Sequence, residues 1–215
     1  MIELRRLFCG RDFFLGMLIA LIPADYSSIC RCILKALSFT SWATQLVLMK
    51  SNPLITTYLE MRLPNQLRPK RADGRFQVRE KTERDWRFNR DLYFCVGEQW
   101  DWIDKRSWTD DQWTEYAKAT ELRTFAGYHD DVLAGYYELR RDTADGVEIE
   151  YFGLLPQFIG RGLGGALLTS AIERAWHMGP NPSRVWVHTC NRDHPQALAN
   201  YRARGMVIYK VEEEA

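Results

Sequence analysis

From Phe76 onward, short runs that alternate apolar and polar positions are interleaved with longer stretches of helical period. Phe76 to Arg79 predicts a short strand, and Glu83 to Gly97 a helix carrying Trp86, Leu92, Tyr93 and Val96 on one side. Thr109-Asp110-Asp111-Gln112 has capping-box spacing and opens a helix that runs to Ala119. Leu122 to Tyr128 and Val132 to Arg140 read as strands around a His129-Asp130-Asp131 turn, and Gly146 leads into a third strand, Val147 to Leu155. The clearest helix is Gly162 to Met178, where Leu163, Leu167, Leu168, Ala171, Ile172 and Ala175 form an apolar stripe; Gly179-Pro180 ends it. A strand over Arg184 to Cys190, a helix over Pro195 to Arg204 stopped by Gly205, and a strand over Met206 to Val211 complete the pattern. The order βααβββαβαβ predicts an α/β (α+β) layered fold.

The first 60 residues follow another pattern. Phe13 to Ile22 is apolar without a break, is preceded by Arg5, Arg6 and Arg11, and stops at Pro23, too short to span a membrane. A second apolar stretch, Ile29 to Leu48, is broken by Arg31, Lys35, Ser38, Ser41 and Gln45. Residues 1–60 therefore read as an N-terminal extension: a signal or anchor, a packing appendage, or, the reading preferred, upstream sequence that is not natively translated, with Met49 and Met61 as alternative starts. Residues 61–75 are polar and contain Pro64, Pro69 and Gly74, the composition of a linker, which leaves 76–215 as the folded domain.

Composition narrows the class. A net charge of +1 gives no reason to expect a nucleic-acid or membrane partner. Five cysteines, with no CxxC pair, and four histidines outside metal-ligand spacing predict a reducing, cytoplasmic setting, no disulfide framework and no metal. The sequence leaves the oligomeric state open, a homodimer included.

The segment that carries chemistry is Leu154-Leu155-Pro156-Gln157-Phe158-Ile159-Gly160-Arg161-Gly162-Leu163-Gly164-Gly165. A strand runs into a glycine-dense turn and a helix follows at once, which aims backbone N–H groups and a helix dipole at one point and suits an anion. No Lys-Ser/Thr follows, as a nucleoside-triphosphate loop would require, and no acidic residue stands about 20 positions on, as a dinucleotide site would. A tight turn for helix–strand packing is the plain alternative.

Pro156 followed by Ile159-Gly160-Arg161-Gly162-Leu163-Gly164, and a later helix with Ala197, Tyr201 and Gly205, resemble the two signatures of the GNAT superfamily of acyl-CoA-dependent N-acyltransferases, in order and on the expected elements. The resemblance covers about Phe76 to Val211. It implies a mixed, mostly antiparallel sheet with helices on both faces, acetyl-CoA as the acyl donor, and the amine of a small molecule or peptide as acceptor. A catalytically inactive acyl-CoA-binding module is the alternative. Ile159 stands where the family usually has Arg or Gln, His194 where an Asn is common, and the family's last strand is either absent or supplied from elsewhere.

The resemblance assigns Phe152, Gly153, Leu154, Ile159, Gly160, Arg161, Gly162, Leu163, Gly164 and His194 to the cofactor. Gly153, within a strand, fits a bulge, a close backbone approach or simple packing. Glu148 and Glu150 share a strand face, so that each would raise the pKa of the other; Glu148 is preferred as the base over Glu150, and a solvated polar face is the alternative. Tyr201 is the candidate acid for the leaving thiolate, or else a core tyrosine. His194 contacts the cofactor or caps its helix, and Cys190 reads as a buried strand cysteine rather than a nucleophile. Trp86, Tyr93, Phe94, Trp100, Trp102, Trp108 and Trp113 line an acceptor slot or form a helix–sheet core, and Arg106 among them is a candidate for a substrate carboxylate.

Overall fold

A computed structural model describes residues 53–214. The strands are β1 (Leu54–Met61), β2 (Phe76–Lys81), β3 (Leu122–His129), β4 (Val132–Arg141), β5 (Gly146–Leu154), β6 (Arg184–Cys190) and β7 (Val207–Glu214). The helices are α1 (Trp86–Gly97), α2 (Asp110–Lys118), α3 (Gly164–Ala175) and α4 (Ala197–Ala203). From Phe76 on, every predicted element is present, with ends shifted by a few residues. Thr109 caps α2, and Gln112 reaches back to complete the capping box. Between β3 and β4 the two-residue turn is Asp130-Asp131, with φ of 50° and 59°, the left-handed pair that matches the twist of a hairpin.

All seven strands form one sheet in the order β2-β3-β4-β5-β6-β1-β7. Only β5 and β6 run parallel, and they pair over just three residues, from Gly146 opposite Arg184 to Glu148 opposite Trp186. Past that step β5 continues on β4 and β6 continues on β1, so the sheet opens into a cleft at its middle. A bulge places Glu150 as the extra residue between Ile149 and Tyr151, which puts Glu150 and Tyr151 on one side. Gly153 pairs regularly with Tyr136, so the bulge falls three residues before the position suggested by that glycine. What Gly153 provides is a close approach: a Cβ there would lie 2.3 Å from Val96 Cγ1 of α1.

Two cores sandwich the sheet. On one face Val147, Ile149, Leu139, Val185 and Leu59 pack with Leu167, Leu168, Ala171, Ile172 and Ala175 of α3 and Tyr201 of α4. On the other, Tyr93, Trp113, Tyr116 and Leu122 join α1, α2 and β3, with Trp86, Trp102 and Trp108 packed against them. Most of the aromatic run is therefore core.

β1 lies inside residues expected to be an extension. Its Leu59 and Met61 are fully buried, and it is antiparallel to both β6 and β7. β1 therefore sits between β6 and β7 in the sheet. The apolar runs Phe13 to Ile22 and Ile29 to Leu48 lie outside the described residues. The polar stretch after β1 is fastened rather than free: Arg68 N–H donates to Arg204 O (3.0 Å), Lys70 N–H to Thr169 Oγ1 (2.9 Å), and Arg71 makes a bidentate pair with Glu173.

Candidate active site

The cleft between β5 and β6 opens at the end where β5 enters the glycine loop. Pro156–Phe158 makes one 3-10 turn, after which Gly160 (φ 81°) and Gly162 (φ 77°) adopt left-handed conformations that side chains resist. Among the described residues, no hydrogen bond engages the backbone N–H groups of Gly160, Arg161, Gly162, Leu163 or Gly164. Nothing lies within 4 Å of where a Cβ on Gly160 would sit. The loop is thus a set of open donors at the start of α3, whose dipole adds partial positive charge.

Two cations that sequence reading missed flank that helix start. A Cβ on Gly165 would fall 2.3 Å from Arg204 Nη1 and 2.7 Å from Lys70 Cδ. Arg204 Nε is buried without a hydrogen-bond partner. The signal for both was absent because they come from the polar stretch after β1 and from the end of α4. Arg161 turns its guanidinium over the Phe158 ring, 5.1 Å from the centroid. The residues present fit a pyrophosphate-bearing group: unengaged N–H donors, room at Gly160, and nearby positive charge.

The two candidate carboxylates share the face opposite α3, since Val147 and Ile149, which alternate with them, point into the α3 core. Each has its own partner: Glu148 Oε1 accepts from His188 Nδ1 at 3.2 Å, while Glu150 accepts from Arg140 Nε and lies 3.6 Å from Lys105 Nζ. The carboxylate beside it draws the His188 imidazole pKa upward. Tyr201 lies on the other face, 5% exposed, with its ring 6.1 Å from that of Phe152. Burial raises its phenol pKa, so it stays protonated at neutral pH. Glu148 and Tyr201 thus approach the cleft from opposite sides of the sheet.

His194 Nδ1 accepts the Gln196 N–H at 3.1 Å just before α4, and its ring meets Trp100 edge-on at 4.9 Å. The N-cap of α4 is Gln196, and no side-chain cap hydrogen bond is made there. Cys190 has its thiol pKa raised by burial, which disfavours a nucleophilic thiolate. Arg106 is engaged by the carbonyl of Trp102 at 2.7 Å.

Beneath α1 and α2 lies a polar cluster with no sequence signature. Glu138, 1% exposed, accepts from Asn89 Nδ2 at 2.8 Å and from the Tyr116 hydroxyl. Asn89 also donates to Thr124 Oγ1 at 2.8 Å. Lys105 donates to Asp104 (3.0 Å) and the Tyr151 hydroxyl (2.7 Å), with its ammonium 4.7–5.0 Å from the centroids of Trp108, Tyr116 and Tyr151. Three carboxylates, Glu138, Glu150 and Asp104, face two cations, Arg140 and Lys105. Burial and the charge on Glu150 push Glu138 up to about 7. The Tyr136 hydroxyl is buried with no hydrogen-bond partner.

Among the described residues, no group of three or more His, Cys, Asp or Glu side chains could hold a metal ion, and no helix is long and apolar enough to cross a membrane.

A parallel pair that splays beside a glycine loop, within a mostly antiparallel sheet with helices on both faces, defines an acyltransferase class of fold. The sequence profile of the Acetyltransferase (GNAT) family matches residues 78–206. The chain belongs to the GNAT acetyltransferase family, whose members use acyl-CoA and act on amine acceptors. Among solved structures it is similar to a GCN5-related N-acetyltransferase from Sphaerobacter thermophilus (15% identity, TM-score 0.58, 79% of this chain and 54% of that one). It is also similar to one from Kribbella flavida (14% identity, TM-score 0.55, 79% and 61%). A third is an aminoglycoside acetyltransferase from an uncultured soil metagenomic sample, in complex with trehalose (14% identity, TM-score 0.50, 61% and 88%). The chain thus spans less than two thirds of the length of the first two. A search of curated proteins found no match.

Proposed function

We propose that this chain is an N-acetyltransferase that moves the acetyl group of acetyl-CoA directly to a primary amine of a small molecule or peptide, within a ternary complex. The observation that carries the reading is the unengaged run of N–H donors from Gly160 to Gly164, set where the β5–β6 cleft opens. In this reading the pyrophosphate lies on Ile159, Gly160, Arg161, Gly162, Leu163 and Gly164, and the backbone of Phe152, Gly153 and Leu154 lines the pantetheine arm. His194, at the entry to α4, borders the cofactor.

Acetyl-CoA supplies an activated thioester. The chain's own contribution is to hold that thioester beside the amine, remove the amine proton and protonate the leaving sulfur. Glu148, with Glu150 as the second carboxylate on that face, sets the proton-accepting side of the sheet. Tyr201 provides the acid on the other side, close to Phe152. Its buried phenol gains a driving force for donation only when a thiolate forms next to it.

The test is release of free thiol from acetyl-CoA across a library of primary amines and amine-bearing peptides. Turnover with a subset of amines supports the reading. Tight acetyl-CoA binding without turnover on any amine would replace it with that of a binding module.

A further inference from the structure

The proton route on the Glu148 side has a second member that sequence reading did not single out. His188 stands on β6 two residues beyond Trp186, the last residue paired with β5, and so at the mouth of the cleft. Its Nδ1–H donates to Glu148 Oε1 across the cleft at 3.2 Å. The other ring nitrogen, Nε2, has no hydrogen-bond partner among the described residues. Exposure separates the pair: the His188 side chain is 48% accessible and that of Glu148 only 16%. A group arriving from solvent therefore meets the imidazole before the carboxylate.

We propose that His188 is a catalytic residue of the transfer, accepting the ammonium proton at Nε2, and that Glu148 is a positioning residue that fixes the tautomer and orientation of the ring. The proposal rests on the N-acetyltransferase reading above. A carboxylate on Nδ1–H leaves the Nε2 lone pair facing outward, the arrangement in which an imidazole acts as a base near neutrality. In the step, R–NH3+ gives one proton to Nε2 of the neutral ring. The free amine attacks the thioester carbonyl, forming the C–N bond, and the C–S bond breaks. The leaving sulfur takes a proton from Tyr201, which recovers one from the amide nitrogen as that nitrogen becomes neutral. The imidazolium returns its proton to water, which its exposure permits.

The surroundings favour the charged intermediate. Glu148 faces the ring from β5, and the negative charges of Asp193 after β6 and of Asp104 before α2 act in the same direction. From β1 the neutral Tyr58 ring packs at 5.8 Å, and from β6 Trp186 at 6.4 Å. Behind those rings stand two cations, Lys210 of β7 over Tyr58 and Arg184 of β6 over Trp186.

The experiment combines a pH–rate profile with imidazole NMR on the full chain. With an amine that wild type acetylates, His188→Gln should lower kcat by about 10²–10⁴-fold and abolish the acid limb of kcat/KM. Glu148→Gln should keep an acid limb but move it to lower pH, because the imidazole loses the charge that raises it. The His188 ring resonance, assigned by its absence in His188→Gln, should titrate at lower pH in Glu148→Gln than in wild type. An acid limb that survives in His188→Gln and vanishes in Glu148→Gln would make the carboxylate the direct base and overturn the proposal. An unmoved His188 titration overturns it as well, whether or not His188→Gln folds. Wild type that turns over no amine overturns the transfer reading and this role with it, an outcome distinct from an active wild type matched by His188→Gln.

Discussion

Two stretches of one strand, its end and its middle, handle charge in opposite ways. Where β5 ends, the loop from Ile159 to Gly164 offers charge complementarity through backbone N–H groups, with few side chains in the way. In the middle of the same strand, Glu150 and Tyr151 join a cluster whose members come from α1, α2, β3, β4 and the loop before α2. A backbone site is contiguous and needs glycine, so it leaves a mark in the sequence. A side-chain site assembled across five elements leaves none. The first also tolerates loss of individual side chains, whereas the second depends on each partner, since removing one strands a buried charge.

Gly162→Asp is the largest break available to that contrast. The φ of 77° is strained for any side chain, and the new carboxylate would stand where the proposed pyrophosphate lies. Acetyl-CoA should then no longer raise the melting temperature, while circular dichroism stays that of wild type. Undiminished affinity by calorimetry would remove the loop from the cofactor site.

Leu59→Ala tests what neither stretch of β5 reveals, the dependence of both on β1. Leu59 is 0% exposed in the α3 core, so truncation should cost about 2–5 kcal/mol in denaturant unfolding. A cost well under about 1 kcal/mol would mean that β1 is dispensable to the sheet.

The reason β1 was not read from sequence is physical. Leu54–Met61 (LITTYLEM) is short, does not alternate strictly, and is separated from a long apolar region only by Ser51-Asn52-Pro53, so it reads as the tail of that region. Local pattern also cannot say that a strand pairs across 130 residues, as Tyr58 does with His188. His188 was hidden for the same reason, since its partner Glu148 lies on another strand. By contrast, the α3 stripe, the Thr109 cap, the glycine loop and the Asp130-Asp131 turn are set by neighbours a few residues apart, and all are found where the pattern puts them.

Glu138 allows the side-chain cluster to be tested through pH. Its carboxyl is raised from an ordinary 4.5 to about 7 in the fold. Below the ordinary value it is protonated folded and unfolded alike. Through the window up to about 7, the folded chain keeps a proton that the unfolded chain releases, so stability falls as pH rises, by on the order of 3 kcal/mol, and levels off above. Glu138→Gln should flatten that part of the profile, measured by urea unfolding across the window. Parallel profiles in the two proteins would show that Glu138 does not carry the proton.

Arg161→Ala should have the smallest effect, and for that reason it sharpens the contrast most. The guanidinium rests over Phe158 at the rim of the loop, where water screens it. Lys70 and Arg204 remain against Gly165, the N–H groups from Gly160 to Gly164 are unchanged, and α3 keeps its dipole. What is lost is one exposed charge, worth about 0.3–1 kcal/mol, or about a two- to fivefold weaker Kd for acetyl-CoA. Raising salt should shrink even that difference, because a screened contact is the only term that changes. Calorimetry on wild type and variant at low and high ionic strength measures both effects. A loss beyond about 100-fold, insensitive to salt, would make Arg161 a direct, desolvated phosphate ligand. The loop would then depend on a side chain as the Glu138 cluster does, and the distinction between a backbone-built end and a side-chain-built middle of β5 would no longer hold.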